Sequence, residues 1–230
     1  MKCFFYKYTT SGLRYFYTSF LSIFILLLLV SCEKWNQTSD ISQVSQLPTF
    51  ELNGDDFLVF VPTDTGEYTD AGARAFEGDK ELAVYSFGEV DLTKKGVYLV
   101  YYYAENSFGL SAIGERVVAV TSFNTATNDL SGWYEGTLWE PMANMRVSKV
   151  DEKGLYKCTE VFGYPGSEVK GRFVDLGNNE LVLLPGNGDF GSYAMSEGGY
   201  SRSALTWSIS LLDDPYKGID IQVVWSKIKE

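Results

Sequence analysis

The clearest structural signal in this chain is the stretch Leu205-Thr206-Trp207-Ser208-Ile209-Ser210-Leu211, in which apolar and polar residues alternate. A second stretch, Ile219-Asp220-Ile221-Gln222-Val223-Val224-Trp225, follows almost the same pattern. Because successive side chains of a β-strand point to opposite faces, each pattern indicates a strand with one buried and one solvated face. The turn-rich segment Asp213–Gly218 separates them, so the pair is predicted to form a β-hairpin with Trp207 and Trp225 in the core.

The chain after Pro48 is built from similar short runs. They are rich in Tyr, Phe, Trp and Val, are separated by Gly, Asn, Asp and Pro, and show no sustained helical periodicity. Earlier strands of the C-terminal part are predicted near 132–138, 144–150, 155–162, 170–176 and 180–184. Seven or eight antiparallel strands at this spacing imply a curled sheet or small barrel. The sequence therefore predicts an all-β protein.

The N-terminal half carries one long strand signal, Gly96-Val97-Tyr98-Leu99-Val100-Tyr101-Tyr102-Tyr103-Ala104. A turn at Asn106–Gly109 and a partner strand at Arg116–Val120 follow it. Together with Tyr68-Thr69-Asp70-Ala71-Gly72-Ala73, this hairpin resembles the bacterial immunoglobulin-like repeats of exported proteins. Those repeats carry a Y-x-D-x-G-A segment, a G-x-Y-x-V-x-Y-x-A-x-N-x-x-G hairpin and a final R-x-V-x-V strand. The resemblance implies an immunoglobulin-like β-sandwich over residues 48–122.

In such a sandwich the two faces of the long strand differ. The resemblance implies that the inward face consists of Tyr98, Val100, Tyr102 and Ala104. Leu99, Tyr101 and Tyr103 then face outward, where the related repeats often carry polar residues. Two interpretations stay open: the tyrosines keep their hydroxyls in water, or the three side chains form a docking face for the second domain or for another protein.

The segment Phe123–Asp129 is small and polar, which predicts a linker over 123–129 and a second domain over 130–230. That domain opens with Leu130-Ser131-Gly132-Trp133-Tyr134 and contains Gly154-Leu155-Tyr156-Lys157 and Thr206-Trp207-Ser208-Ile209. In this order the three motifs resemble the C-terminal domain of a family of Bacteroidetes-type lipoproteins of unknown function, which pair it with an N-terminal immunoglobulin-like domain. The resemblance implies association with outer-membrane glycan-uptake systems and defines no site residue.

The N-terminus reads as a secretory signal over residues 1–31. Basic residues precede the apolar run Ile23–Val30, which leads into Leu29-Val30-Ser31-Cys32. A retained membrane helix is the alternative, but a span needs about 20 apolar residues and Glu33-Lys34 follows at once. Cys32 resembles a lipobox cysteine, which is acylated, palmitate included, and becomes the first mature residue. Residues 32–47 are then a flexible tether, and the expected location is the cell envelope, on either face of the outer membrane.

Composition limits the chemistry. Loss of residues 1–31 removes three basic residues and no acidic one, leaving 16 basic against 30 acidic residues and a net charge near −14, which argues against nucleic acid. The chain has no histidine, so His-dependent nucleophiles and zinc sites are excluded. Cys158 is the one cysteine left without a role and is predicted to be a buried apolar residue. We expect no cofactor, no metal and no catalytic residue.

Two segments and one set of aromatic residues in the second domain invite a functional interpretation. Gly186–Gly191 is predicted to be a tight hairpin loop rather than a calcium or phosphate loop. Asp213-Asp214 sits on a hairpin tip, where adjacent carboxylates point apart rather than flank a glycosidic bond. Trp133 and Tyr156 are expected in the core. The aromatic residues in loop-like sequence are the candidates for a ligand surface, unless they plug the barrel ends: Trp139, Tyr164, Tyr193 and Tyr200.

The sequence therefore predicts a lipid-anchored, non-catalytic binding module for a glycan or another surface ligand, with the immunoglobulin-like domain as spacer. A structural subunit that docks on an outer-membrane complex is the alternative, and a carboxylate-dependent enzyme is the third hypothesis. Exposed coplanar aromatic rings in a groove would favour the first. A continuous apolar face would favour the second, and two convergent carboxylates would favour the third.

Overall fold

The computed structural model describes residues 45–64, 66–122 and 128–228. Within these ranges the chain forms seventeen β-strands and no α-helix, so the predicted all-β class is confirmed. The signal segment 1–31, Cys32 and most of the tether lie outside the described residues. None of the described segments is a helix of the length and apolarity needed to cross a membrane. The strands are β1 (Thr49–Leu52), β2 (Phe57–Phe60), β3 (Ala73–Glu77), β4 (Lys80–Leu82), β5 (Tyr85–Phe87), β6 (Gly96–Glu105), β7 (Ser111–Val120), β8 (Gly132–Gly136), β9 (Asn144–Asp151), β10 (Leu155–Cys158), β11 (Gly171–Gly177), β12 (Glu180–Leu183), β13 (Gly186–Gly188), β14 (Gly191–Tyr193), β15 (Ser196–Tyr200), β16 (Ala204–Ser210) and β17 (Asp220–Lys227).

The N-terminal half consists of two sheets. The smaller has the order β1-β3-β4, and the larger has the order β2-β7-β6-β5, in which only the β2–β7 pair is parallel. The predicted hairpin is the β6–β7 pair, joined over ten residues of each strand. Its turn is held by Asn106, whose side-chain oxygen accepts the backbone N–H groups of Phe108 and Leu110, both at 2.9 Å.

The two sheets bury one face of β6 between them. Val100 and Tyr102 lie in this core with Val118, and Phe50 from β1 and Ala73 from β3 pack against them. These side chains follow the alternation expected for the strand, because residues two apart share a face. The inward direction predicted for Val100 and Tyr102 is therefore confirmed.

The C-terminal half closes into an eight-stranded antiparallel barrel with the order β8-β9-β10-β11-β12-β15-β16-β17, in which β17 pairs back with β8. The predicted strands are all present, although β10 ends at Cys158 and not at residue 162. Segment 186–191 is the turn of the small β13–β14 hairpin, as predicted. Cys158 is buried in the barrel core, and burial raises the pKa of its thiol to about 12.

Aromatic side chains fill the barrel. Trp207 and Trp225 are buried with ring centroids 6.2 Å apart, which confirms the hairpin interpretation. Tyr156 is also buried, as expected. The expectation for Trp133 is wrong: it is 44% exposed, because Tyr134 takes the inward position of β8 and its neighbour must point outward.

Part of the outer barrel wall is apolar and covered by the larger N-terminal sheet. Leu155, Val174 and Leu176 form one buried cluster with Phe57 and Leu99. Residues from Gln46 to the C-terminus consequently make one compact unit. Residues 123–127 of the expected linker lie outside the described ranges, and the division into two domains at 123–129 stays a prediction.

Candidate functional site

One end of the barrel carries a cluster of exposed aromatic rings, which we call the aromatic mouth. In an up-and-down barrel alternate connections emerge at the same end. The connections β8–β9, β10–β11 and β16–β17 and the β13–β14 turn therefore meet, and each contributes at least one ring to the lining of a common recess. The aromatic mouth consists of Trp139, Tyr164, Phe190 and Tyr216.

The rings of the mouth contact one another edge to face. Tyr164 lies 5.7 Å from Trp139 and 5.9 Å from Phe190, with interplanar angles of 72° and 90°. Phe190 in turn contacts Tyr216 at 5.6 Å and 90°. The rings surround a recess of about 190 Å³ whose remaining lining is apolar. Trp139, Tyr164 and Tyr216 keep 48%, 46% and 40% of their surfaces exposed, so three rings meet solvent around one recess.

A buried carboxylate holds the loop that carries Tyr164. Glu160 is 1% exposed, and its two oxygens accept the backbone N–H groups of Phe162 at 2.6 Å, Gly163 at 3.1 Å and Val169 at 3.1 Å. Burial raises the pKa of Glu160, although these hydrogen bonds favour its charged form. The carboxylate therefore fixes the loop to the barrel rather than serving the recess.

A second carboxylate holds the turn that carries Phe190. Asp213, beside the mouth, accepts the backbone N–H of Ser192 at 2.6 Å, and this bond lowers its pKa. Gly191 has a φ of 97° and passes so close that a Cβ there would lie 2.8 Å from an Asp213 oxygen. The β13–β14 turn is thereby tied to the β16–β17 connection, which brings Phe190 against Tyr216.

Only two of the four sequence-predicted ligand residues lie in the mouth, namely Trp139 and Tyr164. The expectation is wrong for the other two. Tyr193 is 1% exposed, because it belongs to β14 and turns its ring into the core against Phe162. Tyr200 is 8% exposed at the opposite barrel end, where its hydroxyl accepts a hydrogen bond from Asn128 at 3.0 Å.

Two residues of the mouth were missed at the sequence level. Phe190 lies inside the Gly186–Gly191 segment, and Tyr216 follows Pro215 on the hairpin tip. Both satisfy the same criterion that selected Tyr164, an aromatic residue beside Gly or Pro in a loop. The criterion could have found them.

The three outward residues of β6 have different surroundings. Leu99 is buried in the cluster shared with the barrel wall, and Tyr101 packs against that cluster and stacks on Phe87 at 5.3 Å. Tyr103 lies beyond the covered area, and its hydroxyl donates to Glu105 at 2.9 Å. Leu99 and Tyr101 thus contact the second half of the chain.

Fold and site together define an all-β protein whose eight-stranded barrel has an open, aromatic-lined end. No protein-family model matches the chain, and no curated protein is significantly similar to it. Among solved structures, the chain is similar to the lipoprotein BT2262 from Bacteroides thetaiotaomicron, with 20% identity and a TM-score of 0.35. The matched region covers 79% of this chain and 100% of that one.

Proposed function

We propose that this protein is a lipid-anchored, non-catalytic binding module of the cell envelope that holds its ligand at the aromatic mouth. One observation carries the proposal: three rings that are 40–48% exposed surround a single recess. A single exposed ring such as Trp133 is ordinary, but three exposed rings around one recess form a contiguous apolar surface that folding does not require. Exposed aromatic rings around a recess are a common feature of binding sites.

The anchor part of the proposal is supported by the sequence. The apolar run, the small residue Ser31 and Cys32 have the layout of a lipoprotein signal. Several acyl chains on one residue hold a protein at a bilayer, since each buried CH2 contributes about 0.8 kcal/mol. The two N-terminal sheets follow the tether in the chain and serve as the spacer, with an immunoglobulin-like sandwich as the proposed form.

The geometry of the aromatic mouth limits the shape and size of the group that it can bind. The rings stand at 72–90° to one another, so they form a notch and not the flat platform expected for several stacked sugars. A recess of about 190 Å³ with apolar walls accepts one apolar-faced group at a time. A single sugar ring of a glycan, placed with its C–H face against Trp139 or Tyr164, satisfies both conditions.

An array of neutral glycans tests this proposal. Trp139→Ala and Tyr216→Ala should each weaken a bound glycan about three- to tenfold, because each removes one ring face from the recess. Trp133→Ala is the matched control, since Trp133 is an equally exposed tryptophan on the barrel wall. Absence of any bound glycan, or equal losses for Trp133→Ala and Trp139→Ala, would contradict the proposal.

A second function, docking on an outer-membrane complex, is favoured by one further observation. The connections that carry the mouth also expose apolar side chains at 41–47%, namely Leu138, Met142, Leu212 and Ile219. Apolar groups clustered in this way are typical of a protein contact. Leu138→Ser with Leu212→Ser should then abolish co-purification of a defined membrane complex while glycan binding persists. If the complex still co-purifies with this variant while glycan binding is lost, docking through this end is excluded.

A further inference from the structure

A second recess lies on the outer barrel wall, and its charge is opposite to that of the whole protein. Strands β9, β10 and β11 and the segment before β11 carry it, and its volume is about 590 Å³. We call it the basic cleft, because four of its lining side chains are cationic: Arg146, Lys157, Lys170 and Arg172. The chain has a net charge of −11, and charge of that size already favours solubility. Solubility therefore gives no reason for four cationic side chains to lie together.

The strand register sets these cations side by side. Lys157 on β10 is the cross-strand partner of Arg172 on β11 and of Ser148 on β9. Arg146 and Lys170 lie two residues before Ser148 and Arg172, so they continue the two flanking rows. Like charges directly opposite one another destabilise a sheet. The pairing of Lys157 with Arg172 therefore does not stabilise the sheet by itself.

Carboxylates of the protein neutralise this charge only in part. Arg172 forms an ion pair with Glu115 of β7. Within the described residues, no ion pair involves Lys157, Lys170 or Arg146. Glu160 is close in sequence but buried, with its oxygens committed to backbone N–H groups. The cleft therefore keeps a net positive charge.

Two glycines shape the floor of the cleft, and neither position has room for a side chain. A Cβ on Gly186 would lie 2.3 Å from the hydroxyl oxygen of Tyr193, and one on Gly171 would lie 2.3 Å from a methyl carbon of Val161. Tyr193 is buried, yet it lines the cleft from below. Its hydroxyl thus reaches the floor, and the hydroxyl-bearing side chains of Ser148 and Thr159 line the same recess.

We propose that the basic cleft binds an oxyanion group, a carboxylate, sulfate or phosphate ester, carried by a ligand larger than a free ion. Lys157 and Lys170 supply the unpaired charges, and Arg172 supplies the planar fork that recognises oxyanions. A volume of 590 Å³ lies within the range of small-molecule sites.

Calorimetry on the purified, lipidated protein in neutral detergent tests the proposal. The probes are inorganic sulfate, glycerol phosphate as a soluble lipid headgroup, a sulfated disaccharide, a uronate disaccharide, and a neutral disaccharide as the reference. At least one organic oxyanion should bind more tightly at low salt, whereas any binding of the neutral disaccharide, which would take place at the aromatic mouth, should not depend on salt. The tightest of the organic probes identifies the source of the anion. If only inorganic sulfate binds, or if no organic oxyanion gains affinity over the neutral disaccharide at low salt, the proposal is wrong.

Variants locate the binding. Lys157→Gln with Lys170→Gln should weaken the oxyanion about tenfold or more, because two charge-assisted contacts are lost. Lys80→Gln with Lys94→Gln changes the net charge equally at exposed positions outside the cleft and should have no effect. Glu115→Gln should tighten binding severalfold, since it releases Arg172. Equal losses in both lysine pairs would overturn the assignment.

The basic cleft and the aromatic mouth are separate recesses that share no lining residue. Trp139→Ala should leave oxyanion binding unchanged, and the cleft pair should leave the binding of a neutral glycan unchanged. Thermal midpoints of all variants within a few degrees of the parent establish that the fold is retained. Failure of one site is therefore distinguishable from failure of the other.

Discussion

Replacement of Arg116 by Met should destabilise the N-terminal sheets by about 3 kcal/mol or more. Arg116 is fully buried on β7, and its guanidinium forms an ion pair with Asp70. It also donates to the hydroxyl of Tyr102 at 2.7 Å and to the backbone oxygens of Asn53 at 2.7 Å and Asp55 at 2.9 Å. The side chain therefore joins the turn after β1 and the segment before β3 to the centre of the larger sheet.

The expected loss of stability follows from the groups that remain around Asp70 after the substitution. Loss of one partner of a buried ion pair costs about 3–5 kcal/mol, because the other charge stays uncompensated. Asp70 keeps hydrogen bonds from Tyr68, Tyr102 and the backbone N–H of Gly72, at 2.7–2.8 Å, and its side chain is 19% exposed. These two features favour the lower end of that range.

The same network makes the stability of the protein depend on pH in the acid range. Burial alone would raise the pKa of Asp70, but hydrogen bonds from Tyr102, Tyr68, Arg116 and Gly72 outweigh it and lower the pKa below the usual range of an aspartate. A carboxyl whose pKa is lowered by folding contributes stability above its unfolded pKa, and this contribution is lost as the pH falls through the folded value. Arg116→Met should reduce the loss of stability between pH 5 and the acid transition.

Urea unfolding followed by far-UV circular dichroism measures these effects, with Asp70→Asn and the double variant completing a cycle. The double variant should cost about 1–3 kcal/mol less than the sum of the single variants. Arg74→Met is the control, because Arg74 makes an exposed ion pair with Glu81 and should leave the urea midpoint almost unchanged. If Arg116→Met costs no more than Arg74→Met, or the cycle is additive, the account of the network is refuted.

Three further predictions concern the barrel and the anchor. Glu160→Ala should lower the free energy of unfolding by about 2–4 kcal/mol and shift the fluorescence of Trp139, since three buried N–H groups lose their acceptor; unchanged urea midpoint and spectrum would contradict it. Cys158 should resist a thiol reagent at pH 8 until urea unfolds the barrel, because burial raises its pKa to about 12, and rapid labelling of the native protein would count against this. Cys32→Ala should abolish metabolic lipid labelling and release the protein from membranes, and persistent attachment would refute the anchor.

Local patterns of the sequence determined the strands and their faces. A strand turns every second side chain to the same face, so alternation at Leu205–Leu211 was enough to direct Trp207 into the core. For β6 alternation defined only the two faces, and the resemblance to the immunoglobulin-like repeats assigned Val100 and Tyr102 to the inner one. The motif residues Tyr68, Asp70 and Arg116 were also recognisable, although their convergence on one ion-pair network was not.

Where the backbone departs from plain alternation, the sequence was insufficient. Trp133 and Tyr134 are adjacent aromatic residues, and either could have faced inward. Tyr193 and Tyr200 stand in glycine-rich segments that resemble loops but form the short strands β14 and β15. Their burial depends on hydrogen bonds to β13 and β16, which join positions that a local pattern does not connect.

Both candidate sites arise from tertiary structure. Trp139, Tyr164 and Tyr216 come from three separate connections, and they meet because an antiparallel barrel gathers alternate connections at one end. Lys157 and Arg172 become neighbours through the register of β10 and β11. The sequence specified which residues are available and which way each strand faces. Closure of the barrel, a long-range pairing of β8 with β17, decided which of them share a surface.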